Sequence, residues 1–173
     1  MSGNLEMEFM RSPLLMNRHD TVLLIVDIQE KLLPHIQNHE RLLWNVRRLI
    51  DGANALGVSV AISEQYPKGL GPTVEAILEK LTGKLDNSRF DKTMFSCREC
   101  EEMINQFHNS QIRNVVVTGI ETHVCVMQTG LDLLAAGLEV YVCNDAVGSR
   151  FENDYVTAPV SYTHLTLPTI CSV

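Results

Sequence analysis

Hydrophobic residues in this chain follow two patterns that alternate along its length. Continuous apolar runs occur at Thr21–Asp27, Val58–Ser63, Asn114–Gly119 and Glu139–Cys143. A run without polar alternation is expected of a strand buried on both faces. From Glu40 to Leu56, by contrast, Leu42, Leu43, Val46, Leu49, Ile50 and Ala53 recur at spacings of three and four. That is the buried stripe of an amphipathic helix, and Gly57 is a suitable stop. Pro72 opens a second predicted helix with Val74, Ile77, Leu78 and Leu81 as its stripe. Met103, Ile104 and Phe107 mark a third, and Val124 to Ala136 a fourth that ends before Gly137. A short strand is predicted over Lys92–Ser96.

Strands alternating with helices predict one α/β domain, a three-layer α/β/α arrangement around a mainly parallel sheet. Ligands of such sheets collect beyond the carboxyl ends of the strands. Asp27, Ser63 to Tyr66, Glu121 to Cys125, and Asn144 to Asp145 fall at those ends, so their shared edge is the predicted site. Residues 1–19 read as an N-terminal extension, 20–158 as the domain and 159–173 as a non-native or disordered tail. In that tail helical periodicity is lost, and Val160–Leu165 resembles a translated transposon-end oligonucleotide. The expectation is that a native last strand and helix are missing there; the alternative is an unusual extended tail.

At 173 residues, with 45% hydrophobic and 20% charged side chains, the composition fits a soluble globular domain with a substantial core. A net charge of −7 argues against nucleic-acid and anionic-membrane partners. The opening stretch lacks a basic start followed by an apolar block, and no apolar run approaches the roughly 20 residues of a membrane span. Five cysteines, an odd number, fit a reducing compartment. A cytoplasmic location is the expectation.

Candidate chemistry centres on Val115–Cys125, where an apolar strand runs through Gly119 and a polar turn to a cysteine at a helix start. Helix N-termini favour thiolate and offer N–H donors to an oxyanion. A thiol nucleophile also needs a proton acceptor. Asp27 ends the first strand and is placed to shuttle a proton. Lys92, in Phe90-Asp91-Lys92-Thr93, could hold both groups in reactive ionic states and bind a polar substrate group. Among the histidines only His123 sits at an equally favourable strand end, and His35, His39 and His108 read as solvated helix positions. Taken singly, Asp27 reads as a turn residue, Lys92 as a solvated charge and Cys125 as a small buried side chain; their joint placement is what points to catalysis. Gln65, Tyr66 and Phe90 are expected pocket walls. Cys97-Arg98-Glu99-Cys100 reads as two structural residues in a helix's first turn, with thiol redox chemistry as the alternative.

Val26-Asp27-Ile28-Gln29, Phe90-Asp91-Lys92-Thr93 and Gly119-Ile120-Glu121-Thr122-His123-Val124-Cys125 together resemble the isochorismatase-like cysteine hydrolases, over about Thr21 to Asn153. The resemblance implies a Rossmann-like isochorismatase fold, with Cys125 as nucleophile, Asp27 as general base and acid, and Lys92 as stabilising cation. It implies a cis peptide at Ile120–Glu121, an oxyanion hole from the Glu121 and Cys125 N–H groups, Thr122 bracing the turn, and a homo-oligomer. Nicotinamidases of this family resemble one another in an Asp-x-His metal site after the second strand. Here that place reads Ser63-Glu64-Gln65-Tyr66-Pro67-Lys68-Gly69-Leu70-Gly71, more like the orphan isochorismatase-domain-containing branch. No metal or other cofactor is expected. Isochorismate itself is disfavoured, since enzymes acting on that vinyl ether are similar in lacking the cysteine. The implied activity is metal-independent hydrolysis of a small amide or related C–N bond through a thioacyl-enzyme. The alternative is a non-catalytic interaction protein on the same fold.

Overall fold

The structure, a computed structural model, describes residues 12, 15–81 and 88–155, together with the backbone of Thr169–Ile170. The described residues form a six-stranded parallel sheet in the order β3-β2-β1-β4-β5-β6. Its strands are β1 (Thr21–Val26), β2 (Ser59–Gln65), β3 (Arg89–Lys92), β4 (Asn114–Ile120), β5 (Glu139–Gly148) and β6 (Thr169–Ile170). The helices are α1 (His39–Leu56), α2 (Pro67–Leu70), α3 (Glu75–Leu78), α4 (Glu101–Asn109) and α5 (Met127–Ala135).

All six residues of β1 are buried, as its unbroken apolar run requires of a central strand. Its side chains divide by alternation between two cores. Leu23 and Ile25 join Leu42, Val46 and Ile50 of α1 and Ile77 of α3. Val22, Leu24 and Val26 join Met103 and Phe107 of α4 and Leu133 of α5. Each such aliphatic side chain contributes about 1.5–3 kcal/mol by leaving water. α1 spans nearly the expected residues and stops at Gly57, whose φ of 72° suits the left-handed cap.

Four expectations are corrected. Pro72 does not open a helix. Glu64 accepts hydrogen bonds from both the N–H and the hydroxyl of Thr73 at 2.7 Å, and Thr73 bridges to Gln29. These hold the chain extended until Val74, so α3 starts at Glu75, with Ile77 and Leu81 buried. The strand predicted at Lys92–Ser96 is instead Arg89–Lys92. Beyond it the Glu99 carboxylate draws in the N–H groups of Thr93 and Met94 at 3.1 and 2.7 Å and turns the chain. Asn144 and Asp145 are not at a strand end either; they lie within β5, where the register against β4 shifts, and the strand runs on to Gly148. The fourth predicted helix begins late, because Thr122–Val126 form a wide π-type turn before α5.

Of the predicted tail, β6 pairs in parallel with Val142 and Cys143 of β5; the rest of that segment, and most of the N-terminal extension, lie outside the described residues. Among the described residues no helix is long and apolar enough to cross a membrane.

The chain order places a topological switch at the centre of the sheet. From β1 the chain steps outward to β2 and β3, then returns to the other side of β1 as β4. The crevice between the carboxyl ends of β1 and β4 is therefore the natural ligand site. Gly119 sets how closely those ends approach. Its φ is 123°, and a Cβ there would lie 2.1 Å from the Val26 carbonyl oxygen, inside backbone rather than a movable side chain.

Gly119→Ala is expected to destabilise the fold by about 3 kcal/mol or more, seen as a lower urea midpoint by circular dichroism. Alkaline pH is expected to destabilise it too. Burial pushes Cys97 up to about 11, and Cys100 and Cys143 up to about 12. Thiols raised in the folded state contribute stability below their unfolded value of about 8.5, and lose it as pH climbs through the folded values. Urea midpoints should fall steadily from pH 9 toward pH 11, and less steeply in Cys143→Ala.

Candidate active site

Parallel register fixes which side chains share the crevice. Val26 lies beside Ser63, Ser63 beside Phe90, and Gln65 beside Lys92. Laterally paired residues face the same side of a sheet, so Ser63, Gln65, Phe90 and Lys92 share the α4–α5 face. Glu64 belongs to the opposite face. Asp27 follows β1 in the left-handed backbone region, at φ 54°, with its N–H donated to the Ser63 carbonyl at 3.1 Å.

The Asp27 carboxylate is wholly buried. Oδ1 accepts from the Ser63 hydroxyl at 2.7 Å, and Oδ2 accepts from the Lys92 ammonium at 2.6 Å. Both side chains of this ion pair are 0% exposed. Lys92 spends its remaining donors on Gln65 Oε1 at 2.7 Å and the Met94 carbonyl at 3.3 Å. Burial pulls the Lys92 pKa down, but attraction to Asp27 and to the thiols of Cys97 and Cys125 outweighs it, and the net shift is upward.

Cys125 sits in the π-type turn, buried, close enough to Asp27 and Lys92 for both charges to act on its thiol. The structure thus brings together the three side chains singled out in sequence. It also corrects the expected thiolate. The Cys125 thiol is pushed up to about 12, first by burial, then by the negative charge of Asp27, with Lys92 pulling the other way. The helix proper starts only at Met127, so the N-terminal field at the sulfur does not offset desolvation and a carboxylate. The resting group is a protonated thiol.

The Ile120–Glu121 peptide is cis. The Glu121 carbonyl accepts from the N–H groups of Val124 and Val126, which shapes the wide turn. Its carboxylate pairs with Arg150 at 3.0 Å. Thr122 is buried in the turn. His123 points away from Asp27, to Ser149 at 3.1 Å and Asp154 at 3.7 Å.

The expected pocket walls separate. Gln65 is bound into the site through Lys92. Tyr66 is exposed and lies over Gly69, lining a cleft of about 460 Å³ with Lys68, Lys92, Thr93 and Glu99. Phe90 is buried in the same core cluster as Cys125. Four participants were given no role beside Asp27 and Lys92 in the sequence. Ser63 orients Asp27. Gln29, wholly buried, clasps Gln65 from both sides, accepting its N–H at 2.8 Å and donating to its carbonyl at 3.0 Å, and donates again to Gly71. The Cys97 N–H donates to the Thr129 hydroxyl at 2.9 Å. Glu99 pins the turn that carries the Met94 carbonyl, and those N–H bonds, Met94 first, hold its carboxyl below the ordinary range. Gln29 stood inside a quoted motif, Ser63 on the predicted strand-end edge, and Cys97 and Glu99 in the Cys-x-x-Cys segment, but a single sequence does not give their partners. The Cys97–Cys100 pair divides, with Cys100 turned to the Asp91 carbonyl at 3.6 Å, and both thiols free. Among the described residues no group of three or more potential ligands is arranged for a metal.

Comparison with known proteins places this geometry. The isochorismatase domain model matches residues 21–172. Isochorismatase family protein 1A of Dictyostelium discoideum is 38% identical over 141 residues, covering 80% of this chain and 68% of that protein. Isochorismatase domain-containing protein 1 of Salmo salar is 42% identical over 140 residues, of which the chain spans about half, 47%. The structure of a MAR1 ribonuclease from Caenorhabditis elegans superimposes with a TM-score of 0.79 at 37% identity, covering 88% of this chain and 77% of that one. With the central switch point, the cis turn and three motifs in one crevice, the chain belongs to the isochorismatase family.

Proposed function

We propose that this protein is a cysteine hydrolase that cleaves a small amide or related C–N bond without a metal, using Cys125, Asp27 and Lys92. The observation that carries the reading is a wholly buried carboxylate, fixed by Ser63 and Lys92, whose charge acts on the neighbouring Cys125 thiol. A thiol that rests protonated needs an acceptor in contact as it attacks, and Asp27 is that acceptor.

The sulfur attacks the acyl carbon while its proton passes to Asp27, and the carbonyl π electrons move to oxygen. The resulting oxyanion is held by the N–H groups of Glu121 and Cys125. Collapse expels the amine, which takes the proton from Asp27, leaving a thioacyl-enzyme. Water then gives a proton to Asp27 and its hydroxyl to the acyl carbon; the acid departs and the proton returns to sulfur. Lys92 keeps Asp27 oriented, and its charge offsets the negative charge created in the attack.

A broad panel of small amides and ureides, assayed for ammonia or amine release against Cys125→Ala, tests the proposal. An RNA oligonucleotide belongs in the panel because one solved relative is described as a ribonuclease. Amine release lost in Cys125→Ala is the expected result; none above that control, or RNA cleavage alone, would overturn it. Asp27→Asn should lower kcat/KM by about 10²–10⁴. Lys92→Met should destabilise the fold by about 3–5 kcal/mol by stranding a buried carboxylate, and Lys92→Met with Asp27→Leu should regain most of that in urea unfolding. Thiol labelling checks the resting state. With Cys125 near 12, its thiolate fraction at pH 8 is roughly a thousandfold below that of an unfolded cysteine. Native Cys125 should therefore alkylate far more slowly than the same residue in urea, as read by peptide mass spectrometry.

A further inference from the structure

His123 stands just past the end of β4, and the proposed reaction gives it no task. Its ring faces the segment that follows β5. Nδ1 lies 3.1 Å from the Ser149 hydroxyl, and Nε2 lies 3.7 Å from the Asp154 carboxylate. Glu121, two residues earlier, reaches the same segment. Its Oε1 pairs with Arg150 Nε at 3.0 Å, and its Oε2 accepts the Arg150 N–H at 3.3 Å. The turn therefore has two faces. Thr122, Cys125 and Val126 are buried, while Glu121 and His123 grip residues 149–154. The gripped segment is itself fixed. Gly148 pairs with Ile120 in the sheet, the Ser149 carbonyl accepts the Gln37 N–H at 3.2 Å, and the Tyr155 hydroxyl donates to the Asn144 carbonyl at 3.0 Å.

We propose that His123 and Arg150 are positioning residues: through them the segment Ser149–Asp154 clamps the turn and fixes where the Glu121 and Cys125 N–H groups stand. The catalytic consequence rests on the proposed function, in which those two groups receive the oxyanion. Such donors work only within about 2.7–3.1 Å of the developing charge, and a shift of about 1 Å can cost about a hundredfold in rate. The turn needs outside support, because regular α-helix starts only at Met127. Neither link is a foundation of the fold. The Arg150 side chain is 47% exposed, and ion pairs open to water contribute little to global stability. Their effect is local, on the turn that carries the thiol.

Hydrogen exchange of peptides spanning Glu121–Val126, with urea midpoints as the measure of folding, tests the clamp without turnover. Arg150→Ala and His123→Ala should each speed exchange in the turn by about threefold, and the double variant by about tenfold, with peptides of β1 and α1 unchanged. Arg150→Lys, which keeps the charge, should restore part of the protection. On the best amide substrate found, Arg150→Ala should lower kcat by about tenfold and leave KM within about twofold, a smaller loss than the roughly 10²–10³ of removing a donor outright. Arg150→Lys should recover part of that kcat. Exchange in the turn unmoved in the folded double variant would overturn the inference. So would exchange raised equally throughout the protein, or an unchanged kcat while exchange in the turn rises. If the wild-type protein hydrolyses no amide, the hydrolase reading falls, and the exchange data alone decide whether the clamp stands.

Discussion

A lysine and an aspartate, each without exposed surface, meet at 2.6 Å between the ends of β1 and β3. Two ions taken out of water cost several kcal/mol each, which attraction repays only when geometry is good and the remaining valences are filled. Here they are filled, by Ser63 on one side and by Gln65 and Met94 on the other. That requirement explains much of the architecture nearby. β3 is short because its end must present Lys92 inward and then turn at once, so that the Met94 carbonyl can reach back. The turn in question is secured by Glu99, an exposed residue whose carboxylate is engaged by backbone rather than by a cation.

The same pair acts on the Cys125 thiol. A cation alone would draw the Cys125 proton off; a carboxylate alone would hold it on. With both present and the sulfur buried, the carboxylate and desolvation prevail, and the thiol waits protonated. In the proposed reaction the proton would leave as the oxyanion forms, so charge would be created where donors already stand. A permanently ionised thiol in the same place would be open to every oxidant and electrophile that reached it.

What was legible in sequence was whatever depends on periodicity and strand ends. β1, α1 and β4 followed from unbroken and three-four hydrophobic spacing, and Asp27, Lys92 and Cys125 followed from their positions at the sheet's carboxyl edge. What was not legible depends on tertiary hydrogen bonds between distant segments. Pro72 has every local qualification to start a helix, yet Glu64, on the far face of β2, holds Thr73 extended. Asn144 and Asp145 stand after an apolar run and look like a strand end, but β5 bulges and resumes against Gly119 and Ile120. The thiol was misjudged for a related reason: helix-start placement is a local property, whereas burial and the Asp27 charge are not.

Gln29 shows how such distant bonds become functional geometry. It lies two residues after Asp27, yet its amide makes no contact with the ion pair. Instead it takes the Gln65 N–H, returns a bond to the Gln65 carbonyl, and reaches Gly71 at 2.6 Å. The loop after β1 is thereby fastened to the end of β2 and to the segment beyond α2. Gln65 in turn fixes Lys92, and Lys92 fixes Asp27, closing a circuit that begins and ends in the Asp27–Gln29 loop. A circuit of this kind resists displacement at any one member, because moving Asp27 away from the sulfur would strain bonds on two other strands. The placement of the Asp27 carboxylate therefore resides in the amides of Gln29 and Gln65 as much as in the charges they surround.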